Sequence, residues 1–208
     1  MKGRASRTVQ PIRFSSERNE LDKYFRTHSP RNRVLFNLGI FTGRRISDLV
    51  NLNVRDVAYI DKRGRLCVRE RLEIREQKTR KFAGLILHQK LKGVLSKYLR
   101  ERRKHSETLG ALLNEPLLKS QKPRRNGEYR ITRRQALRIL SDGARACGIT
   151  YRIGTHSLRK TFGYILYQQG KSIELIQKLL NHASPAITLA YIGITSDDMD
   201  EAILDMEF

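Results

Sequence analysis

The chain has 208 residues, enough for one domain with a substantial buried core. Its 42 Lys and Arg residues outnumber 21 acidic residues, which gives a formal net charge of +21 and indicates a polyanionic partner. No apolar run reaches the length of about 18 residues that a membrane span needs, and the N-terminus lacks the apolar stretch of a secretory signal, so a cytosolic protein is expected.

The first part of the chain predicts a basic arm and two helices. Residues 1–14 are polar and basic and show no periodicity, which predicts a flexible arm able to contact phosphates. A first helix is predicted over about 15–27. The pair Ser29-Pro30 is typical of a helix start, and the apolar face of this second helix stops at Gly43. Arg45 is therefore expected on the short bend that follows.

Between Val54 and Leu87 the apolar residues alternate instead of following a helical period. This pattern predicts one small antiparallel three-stranded sheet, whose first two strands are divided by the turn Asp61-Lys62-Arg63-Gly64. Lys78 is expected at the tip of the second hairpin.

The second half of the chain is predicted to be helical. A helix with apolar spacing covers about 88–103, and a polar loop leads from it to a helix capped by Thr132. The core face of that helix is predicted to consist of Leu137, Leu140, Ala144 and Cys147. Further helices are predicted over about 156–169, 172–181 and 184–191. The sum is a mostly helical α+β domain over residues 15–194.

The last dozen residues differ from the rest in charge. Six of them are acidic and none is Lys or Arg. Residues 195–208 are therefore interpreted as an acidic helix that docks on a neighbouring protomer, with a frayed, solvated terminus as the alternative of about equal weight.

Six residues that lie far apart in sequence stand in motifs of one chemistry. They are Arg45 in Thr-Gly-Arg-Arg, Lys78 in Gln-Lys-Thr, His156 and Arg159 in Thr-His-Ser-Leu-Arg, His182 in Leu-Asn-His, and Tyr191. Their order, and the nine-residue step from His182 to Tyr191, resemble the signature of the tyrosine recombinase (phage integrase) family. The resemblance covers roughly residues 15–192 and implies the catalytic-domain fold of that family.

The resemblance implies a role for each of these residues. Arg45 and Arg159 would grip the scissile phosphate, since a guanidinium donates two hydrogen bonds to two oxygens and keeps its proton. Tyr191 would be the nucleophile and His156 would move its proton, because a phenol with a pKa of about 10 needs such help. Lys78 would protonate the departing 5′ oxygen. His182 would donate to a nonbridging oxygen or brace the nucleophile helix.

The same resemblance implies the partners. The protein would act on double-stranded DNA as a homo-oligomer, a tetramer in the synapse and a monomer or weak dimer when free, with accessory DNA-bending proteins as possible helpers and a place in the nucleoid. Further DNA contacts are expected from basic residues near the site and on the predicted helices, namely Arg44, Arg80, Lys81, Arg133, Arg134, Arg138 and Lys160. Neither a metal nor another cofactor is expected, because a phosphotyrosyl bond stores the energy of the broken strand.

Two departures from the family pattern leave alternatives open. Most members carry an additional N-terminal helical domain, and this chain is similar to short members that consist of the catalytic domain alone. Asn181 stands where Gly usually precedes the histidine.

Two alternative functions stay open. A type IB topoisomerase would share the same active-site plan, and a non-catalytic DNA-binding regulator would share the fold.

Overall fold

The structure, a computed structural model, describes residues 9–75, 82–193, 203, 204 and 206. The helices in this part of the chain are α1 (Ser15–His28), α2 (Pro30–Thr42), α3 (Ile46–Leu49), α4 (Gln89–Arg103), α5 (Leu109–Asn114), α6 (Arg133–Ala146), α7 (Ser157–Gln168), α8 (Ile173–Leu180) and α9 (Pro185–Ile192). The strands are β1 (Ala58–Ile60), β2 (Leu66–Val68), β3 (Arg71–Arg75) and β4 (Phe82–Ile86). None of these helices is long and apolar enough to cross a membrane.

Helix α2 is the centre of the fold. As predicted, Ser29 caps it by accepting a hydrogen bond from the Asn32 backbone N–H, and Pro30 is its first residue. Residues 34–40 are all buried, because α1, α4 and α7 pack around the helix. Gly43 ends it with a φ of 59°, a left-handed conformation that favours glycine. The positions of the polar residues that follow are therefore fixed by a helix that is buried along most of its length.

The strands form two separate two-stranded sheets, so the prediction of one three-stranded sheet is wrong. β1 pairs with β2 and β3 pairs with β4, both antiparallel. The chain changes partners between Arg69 and Glu70. The Arg69 N–H donates to the Val57 carbonyl and extends the first ladder, whereas the Glu70 carbonyl accepts from the Leu87 N–H and extends the second. A bend at Glu70 thus separates the hairpins.

Two details of the helical half differ from the prediction. Helix α5 lies inside the segment predicted as a polar loop, where the Thr108 side chain caps it and Leu112 is fully buried. On α6, Ala136 faces the core while Leu137 is 40% exposed. The capping box of Thr132 and Gln135 fixes the start of α6. Small residues let α6 lie close to α1, because the Phe25 ring of α1 occupies the space that a side chain at Gly143 would need.

The two ends of the chain also bear on the predicted domains. Residues 1–8 of the predicted flexible arm lie outside the described residues. Residues 10–13 are not a free arm, because Ile12 is fully buried and its N–H donates to the Thr161 hydroxyl. Of the predicted acidic helix 195–208, only the exposed residues Ile203, Leu204 and Met206 are described.

Glycines bring the C-terminal helices together. A Cβ at Gly39 of α2 would lie 2.3 Å from Leu158 Cδ1 of α7. A Cβ at Gly163 of α7 would lie 2.7 Å from Ile192 Cγ2 of α9 and 3.1 Å from Leu180 Cδ1 of α8. All three distances are shorter than van der Waals contact, so α7 can approach its neighbours this closely only where a side chain is absent.

Replacing Gly163 with Ala should destabilise the protein. In a helix interior, alanine is more stable than glycine by roughly 0.5–1 kcal/mol. Here, however, the added methyl group must push α9 away from α7, and such overpacking costs roughly 1–3 kcal/mol. Gly93→Ala is the matched control, because Gly93 lies in α4 with no atom within 4 Å of its ideal Cβ. Urea unfolding should show Gly93→Ala at or above wild-type stability and Gly163→Ala below it. Equal stabilities of the two variants would contradict this packing.

Candidate active site

Arg159 is the most buried of the charged residues that the motifs pick out, with 2% of its surface exposed. It lies in the first turn of α7. Its Nη1 donates to the Gly43 carbonyl at 2.7 Å, and its Nη2 donates to the Leu180 carbonyl. Gly43 is the C-cap of α2 and Leu180 is the last residue of α8. The guanidinium therefore sits where two helices present their partially negative ends, which favours a cation.

The turn after α2 separates the two neighbouring arginines. Arg45 is half-buried and is the N-cap residue of α3, with extended backbone. Arg44 is 4% exposed, so little of its side chain is accessible in this structure, and its predicted contact with DNA stays a prediction. Gly43 permits this turn, because the Phe162 ring lies 2.4 Å from where its Cβ would be. Of this pair, the structure leaves Arg45 to face the site.

Tyr191 lies in the last turn of α9, beside both histidines. Its hydroxyl oxygen is 3.2 Å from Nδ1 of His156. Its ring meets the His182 ring edge-on at 4.8 Å between centroids, and the Lys160 ammonium lies 5.4 Å from the phenol ring centroid. Burial raises the pKa of Tyr191, while the charges of Arg159 and Arg45 act in the opposite direction. The phenol is therefore protonated at rest and surrounded by groups that favour its ionised form.

His156 precedes α7 as its N-cap residue. Desolvation, followed by the charges of Arg133, Arg159, Arg45 and Lys160, lowers the pKa of His156 below its ordinary value of 6.5. The ring is therefore neutral at neutral pH, and a neutral imidazole can accept a proton. The contribution of Arg133 also shows that the first turn of α6 faces this site.

His182 follows a left-handed residue at the end of α8. Asn181 has a φ of 51°, and Asn tolerates this conformation better than other non-glycine residues, which explains how it replaces the usual Gly. Nδ1 of His182 lies 3.1 Å from the hydroxyl of Thr188, a fully buried residue of α9. Burial, Arg159 and Arg45 lower the pKa of His182 to about 4. This imidazole is neutral and fixed in orientation.

The remaining predicted residues divide into three groups. Arg133, Arg134 and Arg138 are exposed on α6, and Lys160 is half-buried beside Tyr191. Lys78, Arg80 and Lys81 lie outside the described residues. Among the residues that the structure describes, no three His, Cys, Asp or Glu side chains are grouped where they could hold a metal ion.

Sequence reasoning missed the groups that hold the motif residues in place. The two carbonyls that anchor Arg159 leave no signature in side-chain chemistry. Thr188 could have been found, since it lies three residues before Tyr191 and therefore on the same helix face. Gly163 could also have been suspected, because a glycine inside a helix often marks close packing.

Comparisons with known proteins agree with this geometry. The sequence matches the model of the phage integrase family over residues 15–197. The probable integrase/recombinase YoeC of Bacillus subtilis (strain 168) is 39% identical over 189 residues, which are 91% of this chain and 92% of that protein. The tyrosine recombinase XerA of Pyrococcus furiosus is 31% identical over 173 residues, which are 83% of this chain and 54% of that protein.

Solved structures show the same fold. The crystal structure of a XerA recombinase superimposes with a TM-score of 0.70 at 22% identity and covers 98% of this chain and 66% of that one. The XerH recombinase bound to a palindromic difH substrate gives a TM-score of 0.67 and covers 96% of this chain and 54% of that one. The chain thus spans about half of XerA from Pyrococcus furiosus and of XerH. Because the family model matches most of the chain and YoeC matches it over most of both lengths, the chain belongs to the phage integrase family and its helical body is a tyrosine recombinase catalytic domain.

Proposed function

We propose that the protein cuts and rejoins DNA strands at specific sites through a 3′-phosphotyrosyl intermediate. The observation that carries this proposal is the 3.2 Å distance between the Tyr191 hydroxyl oxygen and His156 Nδ1, in a site where the charges of Arg159 and Arg45 act on both groups. A nucleophile, a proton acceptor and two cations in one place are the components that phosphoryl transfer requires.

In the proposed cleavage step, the Tyr191 oxygen replaces the 5′ oxygen on phosphorus. The Tyr191 oxygen forms a bond to phosphorus and its proton passes to His156, while the bond from phosphorus to the 5′ oxygen breaks. Lys78 gives the departing 5′ oxygen its proton. Arg45 and Arg159 neutralise the charge that grows on the nonbridging oxygens. A free 5′ hydroxyl that attacks the phosphotyrosine reverses these steps and rejoins the strand.

The partners of this reaction are double-stranded DNA and further copies of the chain. Among similar structures, XerH was solved with its difH substrate in a post-cleavage complex, and lambda integrase was solved as a tetramer bound to a Holliday junction. The exposed α6 residues Arg133, Arg134 and Arg138 have the charge needed to contact the DNA backbone, and the charge of Arg133 acts on His156. Lys160 is half-buried beside Tyr191, where its ammonium has the charge needed to contact a phosphate bound at the site.

Tyr191→Phe should abolish strand cleavage and leave DNA binding unchanged. The variant keeps the ring that packs against His182 and removes only the nucleophilic oxygen, so covalent complex formation should fall by at least about 10³-fold. The substrate is a nicked suicide duplex that carries a site selected from random DNA by the wild-type protein. The measurements are the yield of protein–DNA adduct on a denaturing gel and the dissociation constant.

Tyr129→Phe is the matched control, since Tyr129 is exposed in a loop, and it should behave as wild type. An adduct formed by Tyr191→Phe at the wild-type rate would refute the proposal. Absence of an adduct with the wild type would favour a non-catalytic regulator. Relaxation of supercoiled plasmid that lacks the selected site would favour the topoisomerase alternative.

The lowered pKa of His182 predicts a pH dependence of stability. Between pH 6.5 and about 4 the unfolded chain binds a proton at residue 182 that the folded protein does not bind, so the free energy of unfolding should fall as the pH falls through this window. The slope from this one group is at most about 1.4 kcal/mol per pH unit. His182→Gln should remove that part of the slope.

Urea unfolding of the wild type and His182→Gln at several pH values measures this difference. His105→Gln, the same change at an exposed loop position, is the control. Parallel stability curves for the wild type and His182→Gln between pH 6.5 and 4 would show that the site does not suppress protonation of this ring.

A further inference from the structure

A short extended segment before α1 connects the two helices that carry the catalytic motifs. This N-terminal strap consists of residues 10–13. Its Gln10 N–H donates to the Arg152 carbonyl at 3.2 Å, just ahead of the turn that leads into α7. Its Ile12 N–H donates to the Thr161 hydroxyl at 2.7 Å, and the Ile12 side chain is fully buried. The strap is thus part of the folded domain.

The strap is attached to α7 close to the catalytic motif. Thr161 is fully buried and lies two residues after Arg159. Its hydroxyl donates to the Ser157 carbonyl at 2.7 Å while it accepts from the strap. From the other side, Arg18 of α1 donates to the carbonyls of Ile12 at 2.9 Å and Arg13 at 2.5 Å. Satisfied hydrogen bonds on both edges hold the strap backbone in one place.

The last residue of the strap reaches the end of the nucleophile helix. Arg13 Nη2 donates to the Gly193 carbonyl at 2.5 Å. Gly193 is the C-cap of α9, with a φ of 81°, and it lies two residues after Tyr191. The Arg13 guanidinium also lies 5.4 Å from the ring centroid of Tyr164 on α7. A cation at the C-terminal end of a helix satisfies a carbonyl that has no partner within the helix and complements the helix dipole.

Helix α9 is short and packs against α7 and α8 through few buried side chains. It is eight residues long, and only Thr188 and Ile192 on it are buried. Ile187 and Leu189 are 48% and 37% exposed. A helix this short is not stable by itself, so its position depends on the groups that bind its ends.

We propose that Arg13 is a positioning residue, which fixes the C-terminal end of α9 and thereby holds the Tyr191 hydroxyl in line with His156 and the scissile phosphate. The inference rests on the proposed role of Tyr191 as nucleophile. Arg13 acts through the Gly193 carbonyl and does not contact the reacting atoms. Since a displacement of about 1 Å can slow a reaction by about 10²-fold, loss of this contact should slow strand cleavage with little effect on DNA binding.

The test compares Arg13→Met with Arg13→Lys. Methionine keeps most of the side-chain length and removes the charge and the donors, whereas lysine keeps a cation that can reach the Gly193 carbonyl. At saturating protein, Arg13→Met should form the covalent complex on the suicide duplex at least about 10-fold more slowly than wild type, and Arg13→Lys should recover most of the rate. Backbone hydrogen exchange in residues 185–193 should be faster in Arg13→Met. Arg26→Met, at an exposed position on α1, should match wild type in both measurements.

Three results would overturn the inference. They are a saturating cleavage rate for Arg13→Met within two-fold of wild type, unchanged hydrogen exchange in α9, or a loss that appears only as weaker DNA binding. If Arg13→Met is too unstable to assay, Pro11→Ala replaces it, because this change removes the proline ring that lies beside Gly193. Pro11→Ala should also slow cleavage. A wild-type cleavage rate for Pro11→Ala would contradict the proposed role of the strap. Failure of the proposed function itself would be recognised separately, because either the wild type would then form no adduct or Tyr191→Phe would still form one.

Discussion

The active site depends on one buried cation that is held by the ends of two helices. A guanidinium with almost no solvent exposure is unfavourable unless hydrogen bonds replace its water. Arg159 obtains them from the carbonyls of Gly43 and Leu180, and these bonds are possible only if α2 and α8 both end against the first turn of α7. The requirement fixes three helices relative to one another and directs the remaining donors of Arg159 toward Tyr191.

Burial and the charges of Arg159 and Arg45 together set the protonation states around the phenol. In the absence of DNA, burial lowers the pKa values of both His156 and His182, and the two arginines lower them further because they disfavour a second positive charge. They also oppose the rise in the pKa of Tyr191 that burial causes. A phosphate would bring negative charge into this excess of positive charge. In the proposed mechanism, this arrangement would keep the proton acceptor neutral and would provide electrostatic stabilisation that is already in place when the pentavalent state forms.

The sequence predicted well what depends on local chemistry. The caps Ser29 and Thr132 form as expected, because a short polar side chain followed by an apolar helical period has few alternatives. The buried face of α4, from Leu91 to Leu99, is also confirmed, since helical spacing there is regular. The residues of the phosphate site could be named because they stand in the motifs of a family to which the chain belongs, although Lys78 lies outside the described residues.

The errors arise where tertiary packing overrides a local pattern. Leu137 has the spacing of a core residue, but the side of α6 that meets α1 has room only for small residues such as Gly143. Arg44 and Arg45 are neighbours of the same residue type, so their sequence pattern does not distinguish them. Only the turn after Gly43 decides which of the two is buried. Residues 10–13 have no periodicity because they bind across the domain, through Thr161 and Gly193, and not within a helix or strand.

The most direct measurement of the central claim is mass spectrometry of the protein trapped on a suicide duplex. No Lys or Arg follows Lys178, so trypsin releases residues 179–208 as one peptide in which Tyr191 is the single tyrosine. The account predicts that this peptide carries the DNA fragment through a 3′ phosphate, and that fragmentation locates the link at Tyr191. A link at Ser184, Thr188 or any residue of another peptide would contradict it.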